Sequence, residues 1–158
     1  MEMSSERVVP ATPEAVWKAL NNLEVLSRCI TGCEQLEEFE PNKYDVAMAV
    51  KVGPVNAKFK GQLSLIDIIE PTTYTINFEG KGGVAGFAKG SAIVRLASLP
   101  DENQTLLSYD ASAKVGGKLA QLGSRLIDSA AKKMADDFFT KFTASFSETA
   151  DTASAQNS

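Results

Sequence analysis

The stretch from Val115 to Phe146 constrains the fold more than any other part of the chain. Leu119, Leu122, Leu126, Ile127, Ala130, Ala131, Met134, Phe138 and Phe142 recur at helical spacing on one wide face. Gln121, Arg125, Asp128, Lys132, Asp136 and Thr140 take the other. This spacing predicts one unbroken amphipathic helix from about Gly117 to at least Phe142, and such a helix has to lie on an apolar surface. Its two ends differ in bulk: Gly116, Gly117, Ala120 and Gly123 lie at the start, Phe138, Phe139, Phe142 and Phe146 at the end. The aromatic end should fill its space. Glycine in a helix interior costs about 1 kcal/mol relative to alanine, so Gly123 is expected to mark a close backbone approach or room kept open on the inner face.

Upstream, the period changes. Glu2 to Val9 reads as a first strand, Thr12-Pro13 as the capped start of a short helix through Val16, Trp17 and Leu20, and Asn22 as the cap of a second through Leu26 and Ile30. From Glu34 onward apolar residues alternate. Strands are expected at Glu34–Phe39, Tyr44–Val52, Val55–Ile66, Thr73–Glu79, Phe87–Ala97 and Thr105–Val115, separated by glycine- or proline-containing turns. Short connections imply an antiparallel meander, and a sheet with one apolar face must curl around a partner. The fold class is therefore α+β, with a curved antiparallel sheet of about seven strands wrapped around a long C-terminal helix and two short helices after the first strand. With 158 residues and 44% hydrophobic content the chain suits one domain. That domain is expected over residues 1–146, with residues 147–158 a disordered polar tail.

Composition removes several functions. The net charge of −4 argues against nucleic-acid binding, and no stretch reads as a signal peptide or membrane span. The chain has no histidine, which removes the commonest general base and metal ligand together. Cys29 and Cys33 lack further soft ligands and are expected to be small buried hydrophobes, binding no metal. A cytoplasmic protein without metal or covalent cofactor is expected. A meander also sorts its turns: Gly32, Gly53-Pro54, the Gly80–Gly86 loop and Gly116-Gly117 should share one rim, and Pro41-Asn42, Glu70-Pro71 and Pro100-Asp101 the other. Lys51, Lys58, Lys81, Lys114 and Lys118 fall near the glycine rim. An acidic protein thus gains one basic, flexible end. Its expected docking residues are Lys51, Lys81, Gly82, Gly83, Lys114, Gly116, Gly117 and Lys118.

The sheet face built by Phe59, Gly61, Leu63, Tyr74, Ile76, Phe78, Phe87, Tyr109, Ala111 and Ala113 should oppose Leu119, Leu122, Gly123, Leu126, Ile127 and Ala130. These residues either line an internal hydrophobic cavity or form a filled core. Three segments bear on the choice: Val52-Gly53-Pro54-Val55 with Phe59-Lys60-Gly61, the run Gly80 to Ser91, and Val115 to Ile127. Together they resemble the signature stretches of the carbon monoxide dehydrogenase G-subunit family, within the helix-grip (SRPBCC) superfamily of START-like and Bet v 1-like lipid-binding proteins. The resemblance covers about residues 1–146. It implies a non-catalytic accessory protein of molybdenum-containing, CO dehydrogenase-type hydroxylases. It further implies lipid binding in the cavity, with a quinone, menaquinone or ubiquinone, as the lipophilic ligand, and membrane association on the inner face. The chain departs from the family at Thr31, usually proline, and in ending with a short polar tail where some members carry a membrane tether. Peripheral rather than anchored membrane contact is the matching expectation. Two other classes stay open: a START-like cyclase or hydrolase, and an assembly protein with a filled core.

Overall fold

The computed structural model describes residues 1–101 and 103–157, the last eleven of these as helical backbone alone. Strand β1 (Glu2–Val9) leads into helices α1 (Pro13–Leu20) and α2 (Leu23–Cys29). The Thr12 hydroxyl accepts the Ala15 N–H at 3.2 Å, with Pro13 at the first helical position, and the Asn22 side chain accepts the Glu24 and Val25 N–H groups. Strands β2 (Cys33–Glu40), β3 (Lys43–Val52), β4 (Val55–Ile69), β5 (Thr73–Lys81), β6 (Phe87–Ser98) and β7 (Thr105–Gly116) follow. All seven form one antiparallel sheet in the order β1-β7-β6-β5-β4-β3-β2. The meander is the predicted one, closed by β1 returning to β7.

Alternation decides which side chains face the helix. Leu107 and Tyr109 of β7, Val94 and Leu96 of β6, and Tyr74 of β5 are buried, whereas Asp110, Lys89, Arg95 and Glu79 between them are exposed. In β4 the same phase points Phe59, Gly61, Leu63 and Leu65 inward.

The C-terminal segment departs from expectation. Val115 and Gly116 belong to β7, Gly117 turns the chain at φ 75°, and α3 (Lys118–Gln121) is a single turn. Gly123, at φ 90°, separates it from α4 (Ser124–Asn157). A left-handed residue cannot continue a right-handed helix, so the predicted unbroken helix is two, joined at a glycine. The apolar spacing reads straight through this break because sequence periodicity counts residues and carries no sign of φ; in the structure Leu119 before the break is buried and Leu126 after it is exposed. The disordered tail expected over 147–158 falls outside the fully described residues.

The core lies where the short helices, the sheet and the aromatic end of α4 meet. Val9, Val16, Trp17, Leu20, Cys29, Tyr74, Val94, Leu96, Leu107, Tyr109, Phe139 and Phe142 form one cluster. Trp17 meets Tyr74 edge-on at 5.1 Å, Tyr109 stacks on Phe139 at 5.6 Å, and Phe138 stacks on Phe142 at 5.4 Å. Two polar ties fix this end: the buried Thr105 hydroxyl donates to the Ala11 carbonyl at 2.7 Å, and Lys141 donates to the Thr31 hydroxyl at 3.2 Å.

Candidate functional site

Between the aromatic cluster and the glycine rim, the two layers do not fill the space. No residue of α4 from Ser124 to Met134 is buried, and Leu126 and Met134 are 43% and 37% exposed. On the inner face of the sheet Phe59, Gly61, Leu63, Phe78 and Ala113 point inward yet are only half-buried, as are Ile127 and Ala130 on the helix, while the half-buried Ile76 and Ala111 pack against the edge of the aromatic cluster. The result is an apolar inner face covered by a helix stretch too small to seal it. Leu119, 6% exposed, and Val52, 7% exposed, close the space toward the glycine rim; Leu122 is half-buried beside them.

Several residues expected to line a cavity do something else. Phe87 lies on the outer face, 42% exposed, with its ring where a side chain on Gly116 would sit. A Cβ on Gly123 would meet nothing within 4 Å, so this glycine serves the break in the helix rather than a lining. Leu126 stands at the rim beside Gly53, where an added Cβ would lie 3.8 Å from its Cδ1. Tyr74 is part of the filled cluster. Gly61 keeps no room for a ligand either: its Cβ would come within 1.9 Å of the Glu79 carbonyl oxygen, so the glycine is demanded by the close approach of β4 and β5.

One side chain overlooked in the sequence stands out. Arg7 shares the inward phase of β1 with Met3, Ser5 and Val9. Its guanidinium forms an ion pair with Asp136 of α4 and lies 5.1 Å from the centre of the Phe139 ring. The bond to Asp136 raises the Arg7 pKa further, against the effect of burial, and the Tyr109 hydroxyl adds to it. Arg7, Tyr109 and Asp136 line a cleft of about 240 Å³ between β1 and α4, together with Met3, Ser5, Asp128, Ala131 and Lys132. The phase of Arg7 with Val9 was the available signal.

Lys51, Lys81, Lys114 and Lys118 are exposed, and Gly82 packs beneath the Phe59 ring. Gly83 (φ 59°) opens a short 3₁₀ turn that carries Val84, 83% exposed, to the tip, and Gly86 lies against Gly116 and Gly117. On the outer face of the sheet a groove of about 820 Å³ is lined by Lys43, Lys60, Lys81 and Lys89 with Gln62 and Asn77. Lys60 faces Lys81 and Lys89 faces Lys114 across strand pairs, an unfavourable placement within one molecule. Cys29 and Cys33 are unbridged, and burial raises both thiol pKa values. Among the described residues no three His, Cys, Asp or Glu side chains converge as metal ligands, and no helix is long and apolar enough to cross a membrane.

Comparison with known proteins places this geometry. The chain is similar over 94% of its length, and 96% of the other's, to a conserved protein of Geobacillus kaustophilus, with 32% identity and a TM-score of 0.88. A START superfamily protein from Mycobacterium smegmatis shares the fold at 12% identity, covering 93% and 97% of the two chains, with a TM-score of 0.71. The Zhui aromatase/cyclase of Streptomyces sp. R1128 does so at 14% identity, covering 92% of each, with a TM-score of 0.64. No curated protein matches the sequence. The fold is thus the START-like helix grip, and the family model that matches residues 6–147 is CoxG, the G subunit of carbon monoxide dehydrogenase, the family to which this chain belongs.

Proposed function

We propose that the protein is a non-catalytic carrier and adaptor that holds a lipophilic molecule, an isoprenoid quinone such as menaquinone or ubiquinone, and serves a molybdenum-containing hydroxylase of the CO dehydrogenase type. The observation that carries this reading is the unsealed apolar face beneath Ser124–Met134. Burying one isoprene unit there contributes on the order of 2 to 3 kcal/mol at about 25 cal/mol per Å². Micromolar affinity requires about 8 kcal/mol net of the several lost on association, so roughly four to six units of burial suffice. The inward residues of β4 to β7 offer no paired acid and base, which supports transport of the quinone with its redox chemistry left to the partner. The family match supports that partner's class. Delivery requires a docking end, for which the basic glycine rim with exposed Val84 is suited, against an acidic partner surface or as a peripheral contact on the inner face of the membrane.

Mass spectrometry of lipids extracted from protein purified out of a quinone-containing host tests this. Bound quinone in near-stoichiometric amount is the expected result. Protein that is folded and monodisperse but carries no lipid would end the carrier reading in favour of an assembly protein.

A further inference from the structure

Given a lipophilic occupant as proposed above, we infer that Arg7, backed by Tyr109, is its polar anchor: the cleft between β1 and α4 receives the uncharged carbonyl end of a lipophilic quinone or ketone, while the tail lies along the open half of the grip. Among the described residues, the inward positions paired along β3 to β7 carry no charge; their polar groups are the three tyrosines Tyr44, Tyr74 and Tyr109, the buried Thr105 and, at the exposed end of β6, Ser98. On β1 the inward side chains are Met3, Ser5, Arg7 and Val9. Arg7 is therefore the single cation that the inner face of these strands directs toward α4. A carbonyl oxygen taken out of water into an otherwise apolar space needs a donor, and leaving it unpaired is costly. A guanidinium has five N–H donors. Asp136 accepts from one of its terminal nitrogens, the Tyr109 hydroxyl lies beside it, and the side chain remains 28% exposed where it lines the cleft. Tyr109 adds a hydroxyl donor of its own beside the guanidinium.

The surroundings select the class of head group. Glu2, Asp128 and Asp136 offset Lys132, Arg7 and the terminal ammonium of Met1, so the cleft has no cationic excess to hold a carboxylate or phosphate. A neutral oxygen suffers no such repulsion and uses the same donors. At about 240 Å³ the cleft is smaller than the roughly 300–1,000 Å³ that encloses a whole drug-sized ligand, which suits a ring-sized head with its tail elsewhere. It also borders Tyr109, whose strand continues through the half-buried inward positions Ala111 and Ala113.

The test compares two probes on the delipidated full chain: menaquinone-4, which has carbonyl oxygens, and squalene, an isoprenoid hydrocarbon without any. Wild type should bind both. Arg7→Met should weaken menaquinone-4 by about tenfold and squalene by less than about twofold, and Tyr109→Phe, which keeps the ring on Phe139, should weaken menaquinone-4 alone by a few-fold. A folded Arg7→Met protein that holds menaquinone-4 unchanged, or loses both probes equally, overturns the anchor. If Arg7→Met does not keep a cooperative melting transition, the same comparison with Tyr109→Phe decides. Tighter binding of oleate than of menaquinone-4 overturns the neutral head group. Wild type that binds neither probe overturns the carrier reading itself, a result distinct from loss of the anchor.

Discussion

Along β7 the inward side chains run Leu107, Tyr109, Ala111, Ala113; the first two are 1% and 8% exposed and the last two only half-buried. The strand is continuous and its register with β6 does not shift, so the difference is set by side-chain size on the two layers. The cluster that holds Leu107 and Tyr109 also holds Phe139 and Phe142 of the helix and Trp17 of α1, with Phe138 and Ala111 packed against it, whereas Ala113 and the helix stretch with Ile127, Ala130 and Ala131 lie outside it. Protein interiors pack to crystal-like density, and a half that fails to do so leaves apolar surface that a ligand can cover. On the carrier reading proposed above, one fold separates two duties: the aromatic half supplies stability, and the alanine half is left free to take something in. The ion pair between Arg7 and Asp136 sits at the border of the two.

The largest expected effect is on stability in the aromatic half. Phe142, fully buried, should cost about 3–5 kcal/mol when replaced by alanine, lowering Tm by roughly 10 °C, while quinone retained per folded molecule stays near that of wild type. A shift of only a degree or two by thermal melting would mean that this half is no more tightly packed than the other. The converse experiment fills the open half. Ala113→Leu with Ala130→Leu should change stability by no more than about 1 kcal/mol, since neither alanine packs against the aromatic cluster and the strain of overpacking applies to space already filled. Retained quinone should nonetheless fall to a small fraction. A loss of stability comparable with that of Phe142→Ala would show the alanine half to be closed, and would erase the distinction.

How much of this was legible in the sequence follows from what periodicity can encode. Strand phases, both short-helix caps and the order of the turns were readable because they depend on neighbours within a few residues: Thr12 with Pro13, Asn22 before Leu23, Val55 to Leu65 at every second position. The break at Gly123 was not, because a single left-handed residue does not disturb the spacing of Leu119, Leu122 and Leu126. Phe87 misled for a related reason. The inward positions that follow it are Ala88, Gly90 and Ala92, so the bulkiest apolar side chain of that segment belongs to the outer phase. Gly61 read as room for a ligand, whereas its cause is the backbone of β5, invisible without the pairing. Arg7 drew no site reading from the sequence, although its phase with Val9 already put it inside. Whether the helix and sheet leave a gap depends on their separation, which residue volumes alone do not determine.

The smallest effect concerns where the filled half ends. Tyr74 is 4% exposed and edge-on to Trp17, and burial, with a lesser contribution from Tyr44, pushes its phenol well above the ordinary value near 10. The folded state therefore holds this proton more tightly than the unfolded chain does. Its contribution to stability is fully present below about pH 10 and is lost as pH rises beyond that, because the unfolded chain then releases a proton that the folded state still keeps. Replacing Tyr74 with Phe removes the titrating group while preserving the ring against Trp17. At neutral pH the variant should differ from wild type by about 1 kcal/mol or less. In melting curves recorded by circular dichroism between about pH 8 and pH 11, wild-type Tm should fall the more steeply of the two above about pH 10. Other alkaline titrations act on both proteins alike and cancel in the difference. Parallel curves would mean that the Tyr74 hydroxyl ionises as freely in the folded protein as in the unfolded chain, moving Tyr74 out of the aromatic half and lengthening the open space by one inward position of β5.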